Sequence, residues 1–76
     1  METITQVIKT VAETTGNLLE DVTESSDLRI DLNLSELEIR DTVAALEEEF
    51  DIDLSHTDIE LVNTVHDLAT EVEDKL

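Results

Sequence analysis

The sequence has no cysteine, proline, tryptophan or tyrosine, one glycine (Gly16) and one aromatic residue (Phe50). Without cysteine there is no disulfide, no thiolate metal site and no cysteine nucleophile. A single glycine leaves no Gly-rich loop to cradle a phosphate. A single aromatic ring cannot stack successive bases of a nucleic acid. Cations are scarce as well: four Lys and Arg stand against 21 Asp and Glu, a net charge of −17 in 76 residues. An anionic duplex or an anionic lipid surface repels such a chain. The expected partners therefore carry basic patches and include neither nucleic acid nor membrane. No apolar run approaches the roughly 20 residues of a membrane-spanning helix. The segment METITQVIKT lacks the charged-then-apolar pattern of a secretory signal, so the cytoplasm is the expected location.

High charge with few aromatics can signal disorder. Here 39% of the residues are hydrophobic and their spacing is regular, which predicts one small folded domain over residues 1–76. Ile4, Val7, Ile8 and Val11 follow the i, i+3, i+4, i+7 spacing of a helix, and Gly16 stands where a helix C-terminal glycine belongs. The first helix is expected over about residues 3–15. A second, over about 36–50, carries Ile39, Val43, Leu46 and Phe50 as one narrow apolar stripe. At about 100° per residue, Leu37 falls on the opposite side with Asp41, Ala44 and Glu48, and is expected to be exposed. A short helical turn is expected over about 56–61, with Ser55 as its cap and Asp58 three residues on. A last helix, about 64–75, places Val65, Leu68, Ala69, Val72 and Leu76 on one face, with Asn63 or Thr64 as its cap.

Residues 17–34 form a long connection containing Leu18, Leu19, Val22, Leu28, Ile30, Leu32 and Leu34. A connection of this length inside a compact domain is commonly functional. Its last part alternates like a strand. No second strand is in view, so the expectation is a loop whose apolar residues plug a helical core. The predicted fold class is all-α: a small helical bundle of three long helices and one short helix, with a long first loop.

Most chemical motifs fail against this pattern. His56 and His66 lie in polar helical settings, and no G-x-S-x-G elbow accompanies them, so the chain is not expected to be an enzyme and no catalytic residue is assigned. Asp31, Asn33 and Ser35 mimic the start of a calcium loop, but the sixth and twelfth positions hold Glu36 and Thr42 where Gly and Glu are needed. No specific metal site is assigned; Glu47, Glu48, Glu49, Asp51 and Asp53 are expected to attract divalent cations weakly. Asn33-Leu34-Ser35 fits the glycosylation pattern, which without a secretory signal is a coincidence.

The segment DLNLSELEIRD is more informative. Ser35-Glu36-Leu37-Glu38 is a capping box, with serine at the N-cap and glutamate at the third helical position. Capping alone accounts for a serine there. The wider pattern is a very acidic domain with a leucine-studded first loop and a serine at the start of an acidic second helix. DTVAALEEEFDIDLS (Asp41 to Ser55), and ALEEEF most of all, resembles the acyl carrier protein family. Gly16, EDVTESSDLRIDL and NTVHDLA extend that resemblance over essentially the whole chain without a gap.

The resemblance implies a four-helix carrier that performs no bond-making itself. Phosphopantetheine on a serine holds acyl, aminoacyl or peptidyl groups as thioesters for fatty acid, polyketide or nonribosomal peptide synthesis. The implied partners are a phosphopantetheinyl transferase and acyl-processing synthases with basic docking patches, and the implied state is a monomer. The family's Asp-Ser-Leu motif becomes Ser35-Glu36-Leu37 in this register. Glu36 occupies the usual attachment position, and Ser35 is the candidate attachment residue within the variant motif Leu34-Ser35-Glu36-Leu37. Recognition would use Glu36, Leu37, Arg40, Asp41, Glu47 and Glu48. A cargo chain would enter between the second and third long helices, by Val43, Leu46, Val62 and Leu68. The alternative is a carrier-like protein without a prosthetic group, acting as an interaction or regulatory module.

A charge of −17 opposes compaction by self-repulsion. Salt or Mg²⁺ is expected to raise the melting temperature; thermal scans that stay flat from low salt to moderate Mg²⁺ would contradict this.

Overall fold

The computed structural model describes residues 2–76, apart from the side chain of Glu2. Three α-helices, α1 (Glu2–Thr15), α2 (Glu36–Phe50) and α3 (Val65–Lys75), are joined by two long loops, each holding a single 3-10 turn. The all-α expectation holds. The second 3-10 turn is shorter than expected, Ile59–Leu61, and the first, Leu19–Asp21, was not foreseen.

Each α-helix ends where its sequence supplies a device to end it. Gly16 takes the left-handed conformation (φ 76°), and its N–H reaches the carbonyl of Ala12 at 3.0 Å. Asp51 does the same without a glycine (φ 55°), at the end of α2. Thr64 caps α3 through a second capping box: its hydroxyl accepts the Asp67 N–H at 3.1 Å, while the Asp67 carboxylate accepts the Thr64 N–H at 3.1 Å and the Asn63 N–H at 2.9 Å. Asp58, not Ser55, caps the second 3-10 turn. Ser55 instead donates its N–H to the Asp53 carboxylate at 2.8 Å, because the chain is still turning there.

The core draws on all three α-helices and on both loops. Val7 and Val11 from α1, Ile39 and Leu46 from α2, Val65, Leu68 and Val72 from α3, and Leu28 and Leu54 from the loops are all buried. Packing of α1 against both α2 and α3 sets the bundle. Val22, Leu28, Leu32 and Leu34 plug the core from the first loop as expected, whereas Leu18, Leu19 and Ile30 stay exposed. The difference is geometric. Leu18 and Leu19 fall at the start of the first 3-10 turn, which buries none of its residues, and Ile30 rides the outside of the Asp27 turn. Leu76, one residue past α3, is exposed too.

The first loop is fastened rather than slack. Asp27 organises it: its carboxylate accepts the N–H groups of Arg29 (2.9 Å) and Ile30 (2.8 Å), and its carbonyl accepts those of Asp31 and Leu32. Three backbone bonds then join this loop to the start of α3: Leu28 N–H to Asn63, Val65 N–H to Ser26 and His66 N–H to Glu24. The one strand-like pairing in the described residues is the isolated bridge Asp27–Thr64. Arg29, half-buried, donates to the carbonyls of Ile59 and Val62, both at 2.9 Å. It thereby ties the two loops together.

Hydrogen bonds from charged groups contribute about 1.5–3 kcal/mol each when partly buried. Arg29→Met removes both bonds of a half-buried side chain and is expected to lower the unfolding free energy by about 3 kcal/mol, the low end for two such bonds, read from urea titrations. The amides of Asn63 and Thr64 hold the Asp67 carboxyl below the ordinary aspartate value. A depressed folded pKa contributes stability above the unfolded pKa of about 3.9 that is lost as pH falls through the folded value. The stability difference between the wild type and Asp67→Asn is expected to be greatest above about pH 5 and to shrink as the pH drops below about 4. Parallel pH profiles for the two proteins would rule this linkage out.

Candidate functional site

Of the residues singled out by sequence, Ser35, Glu36, Leu37, Arg40 and Asp41 lie at the start of α2, and Glu47 and Glu48 lie near its end. Leu34, buried, pins the end of the loop, and Asn33 makes the preceding turn in the left-handed conformation (φ 54°). Ser35 follows in an extended conformation (φ −77°, ψ 167°) as the N-cap. The capping box is complete: Ser35 Oγ accepts the Glu38 N–H at 3.2 Å, and Glu38 Oε1 accepts the Ser35 N–H at 3.0 Å. One turn on, Thr42, fully buried, donates its hydroxyl to the Glu38 carbonyl at 2.8 Å. The first turn of α2 is thus held from both ends.

Ser35 is exposed, and its oxygen serves the cap as an acceptor. Glu36, the first helical residue, projects outward and pairs with Arg40 one turn later at 3.0 Å. Both side chains are about 60% exposed (60% and 63%), so the pair contributes little to stability. Leu37 is 67% exposed, as its helical angle predicts, and Asp41, Ala44 and Glu48 continue the same open stripe. Glu47 departs from the expectation. It is half-buried, and its carboxylate accepts the Leu54 N–H at 2.9 Å, so it braces the second loop rather than facing outward. Of the six expected recognition residues, Leu37, Asp41 and Glu48 share the open stripe, Glu36 and Arg40 neutralise each other, and Glu47 is committed internally.

The interior beside α2 is closed. Val43, Leu46, Val62 and Leu68 are all buried in the packed core. A surface depression of about 170 Å³, lined by Arg40, Val43, Glu47, Leu54, Ser55, Thr57 and Ile59, reaches Val43 but not the other three. That volume is below the roughly 300 Å³ at which ligand cavities begin. In this conformation the expected cargo path between α2 and α3 is therefore filled by side chains.

Elsewhere, His56 and His66 are exposed, and His66 Nδ1 pairs with the Glu24 carboxylate across a groove shared with Thr23, Ser25 and Thr64. The nearby Thr23 hydroxyl bonds to those of Ser25 and Ser26. Among the described residues no three His, Cys, Asp or Glu side chains gather as they would around a metal ion. The run from Glu47 to Asp53 is thus a concentration of charge without a coordination geometry. Asp53 lies below the ordinary aspartate value because the hydroxyl and N–H of Ser55 donate to it. No helix among the described residues is long and apolar enough to cross a membrane.

Two features escaped the sequence reading. Thr64-Val65-His66-Asp67 had the signal of a capping box, with aspartate standing in for glutamate. Arg29 had only the oddity of a cation in an apolar and acidic loop, and its carbonyl partners lie 30 and 33 residues away.

Comparison with known proteins places this geometry. The family of the phosphopantetheine attachment site matches residues 5–72. An acyl carrier protein of Exiguobacterium sp. is 33% identical over 73 residues, which cover 96% of this chain and 92% of that protein. The solution structure of the apo doublet acyl carrier protein from prodigiosin biosynthesis superposes on 97% of this chain with a TM-score of 0.82. At 24% identity that likeness speaks to the fold, and the present chain spans 36% of the length of that one. The family match over most of the chain, the relative of nearly equal length and the shared fold agree: the chain belongs to the acyl carrier proteins of the phosphopantetheine-attachment family.

Proposed function

We propose that the chain is a single carrier domain over residues 1–76 that holds its prosthetic group at Ser35 and serves fatty acid, polyketide or nonribosomal peptide synthesis in the cytoplasm. Phosphopantetheine is the group of its family, and a serine hydroxyl is the chemistry that accepts it. The observation that carries this reading is the position of Ser35. Its hydroxyl is exposed at the last residue before α2. Backbone N–H groups and the helix dipole favour a phosphate at such an end. The cap uses the oxygen as an acceptor, which leaves the hydroxyl proton available for transfer. The carboxylates of Glu36 and Glu38 oppose the phosphate by like-charge repulsion, so the fit is chemical rather than electrostatic.

When attached, phosphopantetheine supplies a terminal thiol that holds a cargo as a thioester. The protein's share is presentation. Val43, Leu46, Val62 and Leu68 close the core, so the cargo stands outside it in this conformation. Leu37 offers an apolar contact beside the attachment point, and Asp41 and Glu48 on the same stripe attract basic patches on a transferase or synthase. Arg40, neutralised by Glu36, leaves that stripe acidic. A monomer suffices for these roles, and none of them needs a catalytic residue of the chain's own.

A second reading has its own observation. Glu36 stands in the register where the family has its attachment serine, and the capping box explains Ser35 without any further role. On that reading the domain is an unloaded interaction module that presents Leu37 and its acidic surroundings.

Incubation with coenzyme A and a broad-specificity phosphopantetheinyl transferase separates the two by intact mass. A gain of one phosphopantetheine, absent in Ser35→Ala, is expected for the carrier. No gain with any transferase, including the organism's own, leaves Ser35 as a helix cap and favours the interaction module.

A further inference from the structure

The two residues at the head of α2 present their side chains differently. The Ser35 oxygen is drawn back over the helix end, where it accepts the Glu38 N–H. The side chain of residue 36 lies outside that hydrogen-bonded ring and extends into solvent, with Arg40 as its hydrogen-bond partner. An acceptor oxygen must be approached from open solvent in line with the phosphorus it attacks. Position 36 meets that demand better than position 35, and it holds a carboxylate. Attack by a carboxylate on a pyrophosphate would give an acyl phosphate anhydride, which water cleaves, instead of a lasting ester.

The surroundings of position 36 are otherwise those of an accessible site. Leu37 is 67% exposed, Asp41, Ala44 and Glu48 continue the open stripe, and the first turn is braced by Thr42 and Glu38. Glu36 contributes to the fold through an exposed i, i+4 pair and as an acidic charge in the first turn, contacts that each add little stability. Its identity is therefore not required by the architecture.

We propose that Glu36 is the specificity-determining residue of this chain: it withholds the outward-facing position at the start of α2 from phosphopantetheine transfer, on a surface otherwise competent to receive it. The inference rests on the carrier reading of this surface and is independent of whether Ser35 is loaded. In the transfer, a hydroxyl at position 36 would form an O–P bond to the phosphopantetheine phosphorus of coenzyme A. The pyrophosphate P–O bond breaks, adenosine 3′,5′-bisphosphate leaves, and the hydroxyl proton passes to a base of the transferase.

The test uses the full chain carrying Ser35→Asp together with Glu36→Ser. Aspartate keeps an N-cap acceptor at position 35 while removing its hydroxyl, and circular dichroism confirms folding. With coenzyme A and a transferase that fully loads a standard carrier domain, the double variant is expected to pass from no occupancy at position 36 to one phosphopantetheine per chain, mapped there by peptide fragmentation. A folded double variant that takes no group overturns the inference. Should it fail to fold, Glu36→Ser alone, with the native cap intact, decides: mapping to position 36 supports the inference, and mapping to Ser35 or no gain overturns it. Wild type without gain beside a loaded double variant removes the Ser35 reading and leaves this one standing. Wild type loaded at Ser35 beside an unloaded, folded double variant does the reverse.

Discussion

The structure depends on how the first loop is fastened to the start of α3. Residues 17–34 are too many to hang free in so small a domain, and their fastening makes three helices behave as one body. Leu28 is the pivot. Its side chain is fully buried, its N–H donates to Asn63 across the molecule at 2.8 Å, and its carbonyl accepts the Leu34 N–H at 2.9 Å. One residue therefore fills the core, ties the loop to α3 and sets the point from which α2 departs. Arg29 beside it carries the same tie to the second loop through two carbonyls. A cation in a chain of this charge could have found any of 21 carboxylates. Its use on backbone oxygens shows that joining the loops matters more here than neutralising a surface acid.

Much of this was legible in the sequence, and the boundary of legibility has a physical cause. Helices α1 and α2 were readable because their apolar residues recur at helical spacing and because Gly16 and Ser35 punctuate them. The capping box at Ser35 was readable because its partners lie three residues apart. The exposure of Leu37 followed from helical angle alone. Loop burial was harder, because a loop has no period. Val22, Leu28, Leu32 and Leu34 go in, whereas Leu18, Leu19 and Ile30 stay out. The choice is made by the Asp27 turn and the first 3-10 turn rather than by hydrophobicity. Glu47 was expected on the recognition surface, but its carboxylate has an internal partner, the Leu54 N–H, in a loop whose path no periodicity announces.

The head of α2 sets two uses of a hydroxyl against each other. As a cap, Ser35 is held by the helix it starts; as an attachment point, it must be given up to a partner. Two neighbouring residues could divide these demands, a cap acceptor at position 35 and a hydroxyl at position 36. Here the inner position is a carboxylate paired with Arg40, so both demands fall on Ser35 or only the first is met. Carrier architecture and carrier chemistry are therefore separable in this chain. The first follows from helices, loops and caps, and the second turns on the side chain at a single exposed position.

The molecule is also larger than its own electrostatic reach. Its longest dimension is 26 Å, and the screening length in physiological salt is about 8 Å. Its ionic atmosphere is thus about a third as deep as the protein is long. A basic patch arriving at one side therefore meets the carboxylates of that side, while the charges of the far side are largely screened. With 21 acidic residues against four basic ones, such local steering favours basic partners without choosing among them. Discrimination falls to features that act only at contact, and a leucine standing clear of the first turn of α2 is one that counterions cannot screen.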